Sequence, residues 1–309
     1  MQPSFPASDW KKLQWYAKGK AAIKKAAKQA DLIVISHYHW DHFLPDDLHI
    51  YRKKLILAKN PNEFINDSQR NRAVDFYSAL HKKFGKGLVI GPKQTRNWQD
   101  PATKLKSTKL NFGSYQARRR QLLKQGARWF KARVKKWQRH KQVKEVKSAE
   151  IEIRWAEGKE FRFGKTRLRF TQPLFHGIEY SKVGWVFATV VERGKEKFIH
   201  SSDLNGPIIE DYAAWLIKEN PRWLVLDGPM TYMLGYMLNL INLQRVIKNM
   251  LRIIKQINFE WLIWDHHLPR ERLFRKHTKP VWKLAAKLKK RVLLARELAE
   301  GKKPVVEEV

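Results

Sequence analysis

The run Ser36-His37-Tyr38-His39-Trp40-Asp41-His42 constrains this chain more than any other feature. It directly follows Asp31-Leu-Ile-Val-Ile-Ser36, a short β-branched stretch that is apolar on both faces, as a buried strand is. On an extended chain His37 and His39 point the same way, and Asp41 and His42 follow where the chain begins to turn. Burying so many titratable groups at one strand end carries a high desolvation cost unless a cation is shared among them. Their nitrogen and oxygen donors suit a pair of adjacent metal ions.

Composition narrows the chemistry. The 309 residues contain no Cys, so disulfides, thiolate-bound zinc and thiol nucleophiles are excluded. Hydrophobic residues make up 43%, with 13 Trp, which supports a sizeable core. The N-terminal residues show no apolar stretch of a secretory signal, and no uncharged run reaches the length of a membrane span. The expectation is a cytoplasmic, soluble protein with no membrane partner. The formal net charge of +34 predicts attraction to polyanions such as RNA, although a basic bias throughout the source proteome would give the same number.

The patterns predict a helix over 8–30, where Trp10, Leu13, Tyr16 and Ile23 alternate with Lys at helical spacing. A strand over 53–58 and a helix over 62–84 follow. Residues 112–148 stand apart, because 117–147 hold 13 Lys or Arg and one acid, Glu145. There Leu123, Ala127, Phe130, Val134 and Trp137 form the apolar stripe of an amphipathic helix, slightly weakened by Gly126. Alternating segments at 150–155, 160–163, 166–171, 183–191 and 197–200 predict an antiparallel meander. Then come helix 209–219, strand 222–227, helix 234–256, strand 260–265 and helix 279–299, a strand–helix alternation. Residues 1–300 are expected to form a single domain that includes 112–148 as an inserted basic helix, with 301–309 as a flexible tail.

The histidine run resembles the HxHxDH signature of the metallo-β-lactamase superfamily. That family's three later ligand stations are also present, each after a strand: Phe175-His176-Gly177, Ser201-Ser202-Asp203 and Asp265-His266-His267. The resemblance implies an α/β fold, two sheets between helical layers (αββα). It also implies a dinuclear site. His37, His39 and His176 would hold one ion, and Asp41, His42 and the last histidine the other, with Asp203 bridging. Either His266 or His267 can be that last ligand; His266 is preferred, and Asp265 can then orient one of the rings. Within the superfamily the chain is most similar to the mainly archaeal UPF0282 branch. ISHYHWDH, Asn60-Pro61 to Arg72-Ala73, PLFHG, SSDLNGP, the run Asp227 to Tyr232, and DHHLPR carry that likeness from about Pro6 to His267. The superfamily fold opens with a β-hairpin that has no counterpart here, so the first sheet is expected to have an unpaired edge. The basic segment 112–148 is longer and more cationic than the branch leads one to expect.

The resemblance implies a hydrolase in which Asp41 and Asp203 serve catalysis and two divalent cations activate a bridging water. Zinc fits the donor set best, and manganese or iron are alternatives. Thr231 and Tyr232 are expected to touch substrate, and His200 to line the pocket. His49, His81, His140 and His277 sit in polar or helical surroundings with no partner visible. Phosphoesters or phosphodiesters, RNA included, are the expected substrates, with Arg118, Arg119, Arg120, Lys124, Arg128, Trp129 and Lys135 as the nucleic-acid surface. Trp129 lies off the apolar stripe and is the expected base-stacking residue. Two other functions are compatible with the sequence: a nucleic-acid- or ribosome-binding protein that keeps the metal for stability, and a carboxylic ester or thioester hydrolase.

Overall fold

The computed structural model describes residues 5–85 and 87–309. Helix α1 (Asp9–Gln29) leads into β1 (Leu32–Ile35), β2 (Leu55–Ala58), α2 (Asp67–Phe84) and β3 (Ile90–Lys93). The basic helix α3 (Gln116–Arg139) follows, then β4 (Lys141–Val143), β5 (Val146–Lys147), β6 (Glu152–Trp155), β7 (Glu160–Phe163) and β8 (Thr166–Phe170). Next are β9 (Leu174–Phe175), β10 (Trp185–Val186), β11 (Thr189–Arg193), β12 (Glu196–His200), α4 (Glu210–Glu219), β13 (Trp223–Asp227) and α5 (Leu240–Gln256). The chain closes with β14 (Trp261–Asp265), α6 (Phe274–His277), α7 (Lys279–Lys287), β15 (Val292–Leu293) and α8 (Ala295–Glu300).

Two mixed sheets carry the architecture. One has the order β1-β2-β6-β5, and the other β15-β14-β13-β12-β11-β8-β7. Alternation along β1 and β2 explains their two-sided hydrophobicity. Leu32, Val34, Leu55 and Leu57 face the second sheet through Leu168, Phe170 and Val191. Ile33, Ile35, Ile56 and Ala58 face Ala73, Phe76, Tyr77 and Leu80 of α2 and Phe130 and Trp137 of α3. On the far side, Ile199, Leu224, Leu226, Leu262 and Trp264 pack under α4, α5 and α7. Helices therefore cover the outer face of each sheet. β1 is an edge strand among the described residues, as anticipated. No helix among them is long and apolar enough to cross a membrane.

Helix α1 falls where the spacing predicts one, and its Trp10, Leu13, Tyr16 and Ile23 are exposed. Several sequence expectations are corrected. The alternating segment 150–155 leaves the meander: β6 pairs in parallel with β2 in the first sheet. The expected strand 183–191 divides into β10, paired with β9, and β11, which joins the larger sheet. Helix 234–256 starts only at Leu240, where Asn239 accepts from the Asn242 backbone N–H at 2.8 Å. Helix 279–299 is interrupted because Val292 and Leu293 pair with β14 as the sheet edge, a tertiary gain that overrides helix propensity. The C-terminal residues pack instead of trailing: Val306 is buried, and Glu307 and Glu308 pair with Arg275 and Arg296 at 2.6 and 2.7 Å.

A buried ion cluster ties the helices to the loop after β9. Glu179 accepts from Arg119 of α3 at 2.9 Å and from Arg245 of α5 at 2.7 Å, and the Phe112 ring lies 4.6 and 5.0 Å from the two guanidiniums. Arg119 is therefore a structural residue and leaves the expected nucleic-acid surface. Burial raises the Glu179 pKa, but Arg245 and Arg119 outweigh it and hold the carboxyl at about 2. Glu179→Gln is expected to cost about 3–5 kcal/mol, read from the urea midpoint, since buried Arg119 loses its counter-charge and Arg245 keeps only Glu210, at 2.7 Å. In the wild type this contribution is complete above the unfolded carboxyl pKa of about 4.3 and fades as pH falls toward the folded value.

Candidate metal centre

The two sheets bring the ends of their strands together, and the expected ligands with them. His37 and His39 follow β1, His176 follows β9, Asp203 follows β12, and His266 follows β14. Asp203 is buried, and its Oδ2 lies 3.5 Å from His37 Nε2, 3.2 Å from His42 Nε2, 3.1 Å from His176 Nε2 and 3.5 Å from His266 Nε2. One carboxylate oxygen cannot be aligned with four ring N–H donors. Indeed, His42 Nε2 and both ring nitrogens of His176 are buried without a hydrogen-bond partner among the described residues. His39 completes the inner group, with Nδ1 3.1 Å from His37 Nε2. Asp41 stands at the open side, 3.8 Å from His42 Nε2 and 3.7 Å from His266 Nε2.

Local backbone and hydroxyl contacts set these directions. Ser36 Oγ lies 3.1 Å from His37 Nδ1 and accepts from Ser202 Oγ at 2.8 Å, which joins the two sheets beneath the ring and turns Nε2 toward Asp203. Gln69 donates to the Val183 carbonyl at 2.7 Å and sits 3.2 Å from His39 Nε2, leaving Nδ1 for the centre. Gly177 has φ +88°, and a Cβ there would lie 2.6 Å from Asn205 Nδ2, so the turn after His176 requires glycine. Ser202 and His266 are also left-handed, at φ 54° and 61°, strain concentrated at the site.

That turn separates the two terminal histidines. His266 faces Asp203 and Asp41, whereas His267 Nδ1 bonds the Asp227 carboxylate at 2.8 Å. His267 nonetheless stays close enough to group with Asp203 and His266. His200 is half-buried and feels His42; desolvation first, then that neighbour, lowers its pKa to about 4. Burial likewise lowers His39 to about 3, and, with His42, takes His37 well below the usual range. Burial also opposes protonation of His266, but Asp203 outweighs it and raises the pKa to about 9. The centre thus recruits a positive charge to balance Asp203.

Thr231 is buried with its hydroxyl unpartnered among the described residues, and the Tyr232 ring lies 5.9 Å from the Arg270 guanidinium. Sequence reasoning gave no role to Ser36, Ser202, Gln69 or Arg270. Arg270 reaches Asp41 Oδ2 and His266 Nε2, both at 3.4 Å. Its signal was the DHHLPR block; Gln69, far along the chain on α2, carried none beyond its place in a family block.

On α3, Arg118, Arg120, Lys124, Arg128 and Lys135 are exposed as expected. Trp129 is corrected: its half-buried ring stacks on Trp185 at 5.2 Å and 10°, so its face is already covered. Gly126 is required because a Cβ there would meet the Tyr180 ring at 2.3 Å. Trp129→Ala is expected to lower stability by about 2–4 kcal/mol in chemical denaturation and to leave RNA affinity unchanged.

No family model matches the chain. It is similar to the UPF0282 protein of Methanocaldococcus jannaschii, 30% identical over 296 residues that span 91% of this chain and 78% of that protein. The UPF0282 protein of Korarchaeum cryptofilum is 29% identical over 279 residues, 90% of this chain and 70% of its own. That of Pyrococcus abyssi is 30% identical over 270 residues, 83% and 64%.

Proposed function

The chain belongs to the UPF0282 family, and from the geometry of its histidine–aspartate centre we propose that it is a metal-dependent hydrolase with the metallo-β-lactamase fold, acting on phosphoester or phosphodiester substrates, RNA among them. The observation that carries this reading is the convergence of four imidazole nitrogens within 3.5 Å of a single buried carboxylate oxygen. Orphaned ring nitrogens beside carboxylates, with no thiolate in the chain, fit divalent zinc, with manganese or iron accepting the same donors.

In this reading His37, His39, His176 and Asp203 would hold one ion, and Asp41, His42 and His266, with Asp203 beside them, a second. Cations held there would supply Lewis acidity and lower the pKa of a water to the neutral range. The protein side chains fix the arrangement. Ser36 and Ser202 orient His37, Gln69 orients His39, and Asp227 holds His267 against the wall of the site. The floor of His37, His176 and Asp203 is closed to water, whereas Asp41 and His266 remain reachable from outside, so substrate approaches on their side.

Turnover of bis-p-nitrophenyl phosphate with added Zn²⁺ or Mn²⁺ tests the reading. His39→Ala and Asp203→Ala should each lower it about 10²-fold or more, the scale seen when one electrostatic stabiliser is removed. Metal-independent turnover, or turnover retained in both variants, would contradict it.

The exposed cations of α3 favour RNA within the substrate class, and equally support RNA binding as an activity in itself. Alanine at Arg118, Lys124, Arg128 and Lys135 should weaken RNA binding. The slope of log affinity against log salt should fall by about 0.7 for each phosphate contact removed. An unchanged slope would exclude α3 as the RNA contact.

A further inference from the structure

Arg270 stands where substrate must enter. Its Nη2 lies 3.4 Å from Asp41 Oδ2 and 3.4 Å from His266 Nε2, on the accessible side of the centre. Its Nε donates to the His266 carbonyl at 3.0 Å, and Tyr232 flanks the guanidinium at 5.9 Å. The guanidinium is thereby held by its inner nitrogen and a ring, while its outer edge meets only long contacts. The Asp41 carboxylate it touches is half exposed, and a 3.4 Å contact of this kind is weak.

Charge balance makes this placement informative. Two divalent cations against Asp41 and Asp203, with the other donors neutral imidazoles, would leave two positive charges in excess, or one once the bound water ionises. Asp227 offsets one of them from behind His267, and Arg270 restores it on the open side. A neutral ester would leave that excess uncompensated in a partly desolvated site, whereas an anionic oxygen would neutralise it and take charge-assisted hydrogen bonds from the guanidinium.

Building on the metal-hydrolase reading, we propose that Arg270 is the anion-binding residue of the site, buttressed by Tyr232, and that it selects phosphate-bearing esters over neutral carboxylic esters and thioesters. The outer edge of the guanidinium, which meets only the 3.4 Å contacts with Asp41 and His266, would face an entering phosphoryl oxygen. Tyr232 then acts as a positioning residue, because it fixes the guanidinium plane without touching the reacting atoms.

Calorimetric titration of the metal-loaded full chain with inorganic phosphate provides the test, alongside elemental analysis and melting temperature. Arg270→Gln should weaken phosphate binding at least about tenfold, the loss expected for a charge-assisted hydrogen bond. Metal content and melting temperature should stay as in the wild type. Arg270→Lys keeps the charge but loses the planar fork, so its affinity should fall between the two. In parallel, Arg270→Gln should raise KM for bis-p-nitrophenyl phosphate by a larger factor than KM for p-nitrophenyl acetate. Wild-type phosphate affinity in Arg270→Gln at full metal content would overturn the assignment and leave the hydrolase reading standing. A wild-type chain that takes up no metal would remove both. If Arg270→Gln does not fold, Arg270→Lys decides: weakened phosphate binding supports the assignment, and unchanged binding overturns it.

Discussion

The structure depends on one crowded contact, the Asp203 carboxylate oxygen with four imidazole nitrogens 3.1 to 3.5 Å away. The groups come from positions as far apart as His37 and His266, so no local segment can assemble them. A lone buried carboxylate is costly, and neutral rings with unsatisfied nitrogens add to the cost. Left to its own side chains, the cluster meets part of this by protonating His266, while burial keeps His37 and His39 neutral. Neutral imidazoles aimed at a shared anion are the state a cation requires of its ligands.

Packing around the centre is organised to hold those strand ends in place. Parallel β12, β13 and β14 finish side by side, with Asp227 opposite Asp265 in register, and the sharp turns that follow deliver Asp203 and His266. Behind β1, the buried Tyr38 hydroxyl bonds Tyr77 at 2.8 Å and the Lys59 carbonyl. Lys59 is itself fully buried and paired with Glu157. Together with the Arg119–Glu179–Arg245 cluster, these ties place Glu157 and Glu179 in the interior, beside ammonium and guanidinium groups that could not otherwise be there. The uncompensated cations remain outside, on α3 among other surfaces.

Much of the site was legible because its residues cluster in short polar blocks at the ends of apolar strands. The HxHxDH run, His176 and Asp203 announce themselves this way, and the structure brings them together. The choice between His266 and His267 was not legible, since it turns on a left-handed φ at His266 that strand alternation does not encode. Gln69 and Arg270 act through tertiary contact, so ordinary polar residues there look like surface. Fold errors share that cause. Trp129 lay off the α3 stripe yet found Trp185 across the core boundary. β6 was misread because alternation reports a half-buried strand without naming its partner. The short Val292–Leu293 edge strand lay inside a helical pattern.

The most direct test of the metal centre is anomalous X-ray scattering from crystals of protein purified without chelator, recorded on both sides of the zinc absorption edge. Two peaks are predicted, one among His37, His39, His176 and Asp203, the other among Asp41, His42, His266 and Asp203. Crystals of metal-supplemented protein with no anomalous density near Asp203 at the zinc, manganese or iron edge would contradict the account.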